Sequence, residues 1–382
     1  MGRLELEKSK FSGIGQMFNL ANNLGGDIIR FETGDVDFPT SAHIIDYACN
    51  KLRQGFTHYA PYQGYDKLRE AIVNKLDQFN HIEKKSEELL ITAGASGALF
   101  LSFHALLKKG DEVILANPSW PHFLEMIKFA GGVPKLIPFI SADGQKFFPE
   151  VLEGAITTKT KAILINSPHN PTGFIFTKKE LGKIAEIAEK SNIIIISDEV
   201  YENFTYGSNR HYSIGSLYDN VISVYSFSKT YAMCGWRLGY IASNSMLTSL
   251  MTKLSMYDIT CVPLFIQMAG LAALKGDQSG ISKMVNVYKD RCKSIVDGLN
   301  SIDGIKCVMP KGSIYVWPDV SNLGNSDYVA ETLVKKSRCV TVPGEVFGSE
   351  GKGRLRLALS LDKNRIEEGI ERIRVAKIKQ VI

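Results

Sequence analysis

Several classes of protein are excluded by what this sequence lacks. No apolar stretch reaches the roughly 18 residues of a membrane span, so no membrane association is expected. The start, Met1-Gly2-Arg3-Leu4-Glu5, is charged and has no apolar core of a secretory signal; Leu6 stands where a myristoylation pattern wants Ser or Thr. The six cysteines form no C-x-x-C pair and have no histidine at ligand spacing. That argues against a disulfide framework and against a metal, and it suits a reducing cytoplasm. Basic and acidic residues alternate, the net charge is only +5, and no basic helix-turn-helix pattern is present, so nucleic acid is not a partner. No G-x-G-x-x-G follows an early strand, which disfavours a nicotinamide enzyme. Repeats, low-complexity segments and Pro/Ser-rich linkers are missing too.

What is present reads as an ordinary globular enzyme. The 382 residues are 45% hydrophobic and 22% charged, enough for a large domain and a smaller one. After a helix-like start (15–24) and a short strand (28–31), Ser41 reads as the N-cap of a helix carrying Ile44, Ile45, Ala48 and Leu52. Between about 89 and 243, short apolar strands at 89–92, 113–116, 135–139, 162–166, 193–197, 221–225 and 238–242 alternate with helices such as 96–108 and 178–190. This predicts an α/β fold with a mostly parallel seven-stranded sheet between helices, and motifs at its strand ends. After Pro263 the pattern becomes α+β: helices at 265–274, 281–299, 328–336 and 365–379, strands at 314–317 and 355–359. The expected domains are a large one, 41–275, and a small one built from 1–40 and 276–382.

The most informative stretch is Ser226-Phe227-Ser228-Lys229-Thr230-Tyr231-Ala232-Met233-Cys234-Gly235-Trp236-Arg237-Leu238-Gly239-Tyr240, directly after an apolar strand. A lysine held among buried neighbours at a strand end becomes an amine nucleophile toward carbonyls. Ser226 and the planar Arg237 cation suit a phosphate dianion. A lysine for an aldehyde and two groups for a phosphate are what pyridoxal 5'-phosphate requires. A bare S-x-S-K would read as a loop lysine; the extended S-x-S-K-x(7)-R-x-G-Y string is far more specific.

Other stretches fall at neighbouring strand ends. Asp198 closes the most hydrophobic strand, 193–198, as either a turn cap or a carboxylate presented at the sheet edge; strand alternation points Glu199 the other way. Asn166-Ser167-Pro168-His169-Asn170-Pro171-Thr172-Gly173 is a turn-rich loop. Thr92-Ala93-Gly94-Ala95-Ser96 leads from strand to helix, where Ser96 could cap the helix or join backbone N–H groups in an anion site. Trp120 is either a core filler or a flat wall for a ring.

Taken in order, and over nearly the whole chain, these segments resemble the class I/II (fold type I) pyridoxal-phosphate-dependent aminotransferases, aspartate/aromatic aminotransferase-like. The resemblance implies an amino-group transfer from an α-amino acid to a 2-oxo acid by a ping-pong mechanism, with Lys229 as Schiff-base lysine and then general base and acid. It implies that Asp198 pairs with the protonated pyridine nitrogen and that Tyr201 and Asn170 hold the phenolic oxygen. Trp120 would stack on the ring, while Ala95, Ser96, Ser226 and Arg237 would hold the phosphate. Tyr59, in Tyr59-Ala60-Pro61-Tyr62-Gln63-Gly64, would reach the phosphate of a neighbouring subunit, which makes a homodimer with shared sites. Arg356, in Gly353-Arg354-Leu355-Arg356, matches the arginine that takes the substrate carboxylate, aided by Gly34, Asn170 and Trp120. Arg354 shares its face, so the choice rests on the motif. Pro343-Gly344-Glu345-Val346-Phe347-Gly348 matches a family turn, and His169 is given no role.

Substrate identity is less marked. Phe11-Ser12-Gly13-Ile14-Gly15 matches the stretch near the distal carboxylate of aspartate-specific members, with Ile14 where a threonine would help. No lysine follows Gly94-Ala95 either, which favours an apolar or aromatic donor. Aspartate stays open through a cation such as Arg30 or Lys10. The alternatives on the same scaffold are a carbon–sulfur β-lyase and an aminocyclopropane-carboxylate-type synthase.

Overall fold

The computed structural model describes residues 13–378. The Lys10, Phe11 and Ser12 positions lie outside the described residues, and the last helix, expected to run to about Lys379, already ends at Val375. In chain order the strands are β1 (Ile29–Arg30), β2 (Leu89–Thr92), β3 (Glu112–Ala116), β4 (Val133–Ile137), β5 (Thr160–Asn166), β6 (Ile194–Asp198), β7 (Val221–Ser226), β8 (Gly239–Ala242), β9 (Tyr315–Val316), β10 (Cys339–Val340), β11 (Val342–Pro343) and β12 (Leu355–Ala358).

Strands β2 to β8 form one sheet in the order β2-β8-β7-β6-β5-β3-β4. Only β8 runs against its neighbours, β2 and β7. Alternate side chains explain why these strands read as continuous apolar runs. Leu164, Ile196, Ile222 and Ile241 face helices Gly94–Leu106 and Ser245–Asp258. Ile163, Ile165, Ile195 and Val221 face the Lys178–Lys190 helix. With helices on both faces, neither side of the strand needs polar residues. The Lys178–Lys190 helix starts with a capping box: Thr177 Oγ1 accepts from the Glu180 N–H, and the Glu180 carboxylate accepts from the Thr177 N–H. Ser41 sits at its expected N-cap position without a side-chain bond.

A second packing centre holds β9, β11 and β12 as an antiparallel sheet in the order β11-β12-β9. Its core joins Ile295 and Leu299 of the Ser279–Asn300 helix to Ile366 and Ile370 of the Lys363–Val375 helix. Strand β1 pairs in parallel with β10, through Ile29 with Cys339 and Arg30 with Val340, which ties the start of the chain to its C-terminal part.

Several elements differ from the sequence reading. Strand β4 spans Val133–Ile137, because Phe139 turns away to pack with Phe147 beyond the strand end. The helix expected from Ser96 begins at Gly94, whose φ of +73° a side chain would resist; Ser96 is therefore in the first turn, not a cap. Strands β10 and β11 have two residues each, too short to show a period.

Candidate active site

The last residues of β5, β6 and β7 are Asn166, Asp198 and Ser226, and all three line a cavity of about 250 Å³. Strand geometry explains this: parallel neighbours end together, as the register pairs Asn166 with Asp198. The Gly94–Leu106 helix starts at the same edge and contributes Ala95 and Ser96. Strand β12 brings Arg356, β9 brings Tyr315, and the N-terminal segment brings Ile14 and Gly34. Lys229, Trp120, Asn170, Tyr201 and Arg237 complete the set expected from sequence, apart from one residue. That residue is Tyr59, 85% exposed and away from the cavity of its own chain.

Lys229 follows Ser226 in a short helix, Phe227–Thr230, which Ser226 caps by accepting from the Ser228 N–H at 3.1 Å. Its Nζ donates to the Gly34 carbonyl at 2.6 Å and to Cys234 Sγ at 3.4 Å. Gly34 tolerates no Cβ, because the Tyr315 hydroxyl occupies that space.

Asp198 is 4% exposed, and among the described residues its carboxylate accepts one hydrogen bond, from the Val200 N–H at 3.2 Å. It has no cationic partner among the described residues. Burial, then, pushes its carboxyl up to about 7, the Val200 bond opposing and the charge of Glu199 adding. Glu199 faces away, as alternation requires, and accepts from Ser197, His211 and Ser213. The Tyr201 hydroxyl lies 3.1 Å from that of Tyr315. Trp120 meets Phe123 edge-on at 5.1 Å.

Arg356 is 2% exposed and has no acidic partner among the described residues. It donates to the Glu32 carbonyl at 2.8 Å and to Asn170 Oδ1 at 3.3 Å, its guanidinium lies over Tyr315, and its Nε is unbonded. Arg354 instead pairs with Asp319 at 3.4 Å, outside the cavity. Arg30 is also committed, to Glu32 and Asn22. At the opposite end, the Gly94–Leu106 helix has no side-chain cap, and a Cβ on Gly94 would strike Arg237. Uncapped N–H groups, Ser96, Ser226 and a guanidinium meet there. Such a group of donors suits a phosphate.

Tyr315, Ser228 and Cys234 line the cavity without having been singled out from sequence. Ser228 and Cys234 stand within the lysine stretch itself. Tyr315 had only its place in a strand to recommend it.

The sequence profile described as aminotransferase class I and II matches residues 26–373. The chain belongs to this family. This aminotransferase is 40% identical over 362 residues to the probable aspartate/prephenate aminotransferase of Aquifex aeolicus (strain VF5), covering 92% of this chain and 91% of that one. It is 35% identical over 385 residues to aromatic-amino-acid aminotransferase 2 of Thermococcus litoralis, covering 99% and 98%. The structure of aspartate aminotransferase from Thermus thermophilus with maleate superposes with a TM-score of 0.94 at 32% identity, covering 98% of this chain and 99% of that one. The aminotransferase depends on pyridoxal 5'-phosphate and acts on amino and 2-oxo acids; the relatives support transfer and not the lyase alternative. The residues present fit that cofactor: an anion site at one end, and a buried carboxylate lacking a cation at the other. Among the described residues, no helix is long and apolar enough to cross a membrane.

Proposed function

We propose that this aminotransferase takes apolar or aromatic α-amino acids, with Arg356 binding the α-carboxylate and Lys229 moving the proton. The observation that carries the donor class is the cavity wall. Ile14, Leu99, Phe123 and Val200 line it, and Arg30, the described cation proposed for a distal carboxylate, is already paired. Desolvated and lacking an anion, Arg356 favours a carboxylate ligand held by its planar fork. The cofactor, when bound, supplies an electron sink for the developing carbanion. Asp198 would keep the cofactor ring nitrogen cationic, since a partner cation offsets the burial that raises the carboxyl. Ala95, Ser96, Ser226 and Arg237 would hold the phosphate, and Tyr201 and Asn170 the phenolic oxygen. Trp120 would cover the ring and exclude water. Lys229 Nζ takes the proton from the α-carbon as general base and returns it as general acid.

Tyr59 supports a homodimer: it matches the family tyrosine that reaches a neighbouring subunit's phosphate, and it stands exposed and outside the cavity of its own chain. A division into 41–275 and the remainder is supported by the β1–β10 pairing. Six free cysteines favour the cytoplasm.

Aspartate is the second reading, favoured by the names of the Aquifex and Thermus relatives. Steady-state kinetics with 2-oxoglutarate decide between them. Phenylalanine or methionine should exceed aspartate in kcat/KM; an aspartate preference of tenfold or so would overturn the donor class, since one charged contact is worth about that much.

A further inference from the structure

Lys229 has a partner that the reaction scheme leaves unused. Cys234 is half-buried, lines the same cavity, and presents its sulfur 3.4 Å from Lys229 Nζ. Its own S–H is spent elsewhere, donating to the Ser228 carbonyl at 3.2 Å. The sulfur is left to accept from the amine, with the Val36 N–H as a second donor to it. On the far side, Nζ donates to the Gly34 carbonyl at 2.6 Å. The amine is therefore held between two acceptors on different segments, one of them five residues along its own chain.

We propose that Cys234 is a positioning residue for Lys229: with the Gly34 carbonyl it forms the resting place of the lysine amine whenever that amine is not bonded to the cofactor. This rests on Lys229 being the cofactor lysine. Two physical points favour a thiol in this place. Burial pushes the Cys234 thiol up, against the lowering effect of the Lys229 charge and with Asp35 adding to the rise. The group stays neutral, so it does not trap the ammonium in an ion pair. Sulfur is also a weak acceptor, able to orient an amine without holding it firmly. A lysine that must swing between cofactor and substrate needs orientation with easy release, and small misplacements at a reacting atom are expensive.

The test uses the full-length enzyme in two forms. Cofactor-free parent, Cys234→Ala, Cys234→Ser and Lys229→Ala are mixed with pyridoxal 5'-phosphate, and covalent capture is followed by absorbance and by borohydride-stable labelling. The same proteins are titrated with pyridoxamine 5'-phosphate, which has no aldehyde for the lysine. Cys234→Ala should slow capture and lower kcat by about tenfold, with KM and pyridoxamine phosphate affinity unchanged. Cys234→Ser should recover most of both rates. Equal capture rates in parent and Cys234→Ala would overturn the proposal, as would a matching loss of pyridoxamine phosphate affinity, which marks a merely structural role. Borohydride-stable labelling of Lys229→Ala would instead overturn the assignment of the lysine itself.

Discussion

Asp198 and Glu199 are neighbours in sequence, both buried, and point to opposite sides where one strand ends, yet their surroundings differ in kind. On the cavity side the Asp198 carboxylate has, among the described residues, one bond from the backbone and no cation, and burial raises it to about 7. On the reverse side burial acts on Glu199 too, but hydrogen bonds from His211, Ser213 and Ser197, with the His211 charge, bring its carboxyl below the usual range. Close by, Glu202 takes both oxygens to Lys75, at 2.6 and 2.7 Å, and Lys75 also reaches Asn80. Glu199, Glu202 and His211 place ligand atoms within 4.8 Å of one another, but the Glu202 carboxylate is already taken by Lys75. One side of the strand end carries a saturated carboxylate, although His211 Nδ1 beside it is itself unbonded, and the other side carries an unsatisfied one. Buried polar groups are normally paired, so an unpaired one points to a ligand. Burial alone would not have told the two apart.

The same contrast separates the arginines of β12 and its lead-in: Arg354 is paired with Asp319, and Arg356 is not paired with any acid among the described residues. Removing a group on the unsatisfied face should therefore cost turnover, and removing one on the saturated face should cost stability. The largest effect is expected for Lys229→Ala, with kcat reduced by about 10⁴-fold or more, since it removes both the nucleophile and the general base. Melting of the cofactor-free variant should stay near the parent's. Single-turnover kinetics check the first and thermal unfolding the second. Near-parental turnover would break the assignment of this face.

Asp198→Asn should come next, lowering kcat roughly 10²–10³-fold, the usual cost of one preorganised charge. It should also stabilise the cofactor-free protein. The folded carboxyl keeps its proton up to about 7, while the unfolded one releases it near 3.8. Between those values the folded state binds the extra proton, so parent stability falls as pH rises, and the asparagine variant lacks that fall. The stability gap should reach a few kcal/mol at most above neutrality and close toward acid pH. Urea titrations across that range measure it; a variant less stable than the parent at neutral pH would show that Asp198 already has a partner.

How much of this was legible in the residues depends on how local each feature is. Apolar runs placed the sheet, because a strand covered on both faces has no polar alternation to lose. Alternation also separated Asp198 from Glu199, since consecutive residues of extended chain at a strand end point opposite ways. Direction was not legible: β8 is as apolar as the parallel strands of the sheet, and nothing local says that it runs the other way. Arg354 and Arg356 share a strand face in sequence, and only the distant Asp319 distinguishes them. Tyr315 reaches Tyr201 across 114 positions and sits where Gly34 has no side chain, a fit that needs three segments at once.

The smallest effect on turnover, and the sharpest test of the comparison, is expected from Glu199→Gln. The substitution keeps the shape and leaves one acceptor oxygen, but it ends the charge-assisted bonds from His211 and Ser213. Stability should fall by about 1–3 kcal/mol at neutral pH, with kcat/KM close to the parent's. The pH dependence should run opposite to that at Asp198. Because the folded carboxyl sits below its ordinary 4.5, its contribution is full above that value and is lost as pH falls through the lowered one. The parent's advantage over Glu199→Gln should thus shrink on acidification, just as the Asp198→Asn advantage over the parent does, but from the other sign. If Glu199→Gln instead cost turnover and left stability alone, the reverse face of the strand would belong to the active site, and the division between saturated and unsatisfied faces would not separate structure from chemistry.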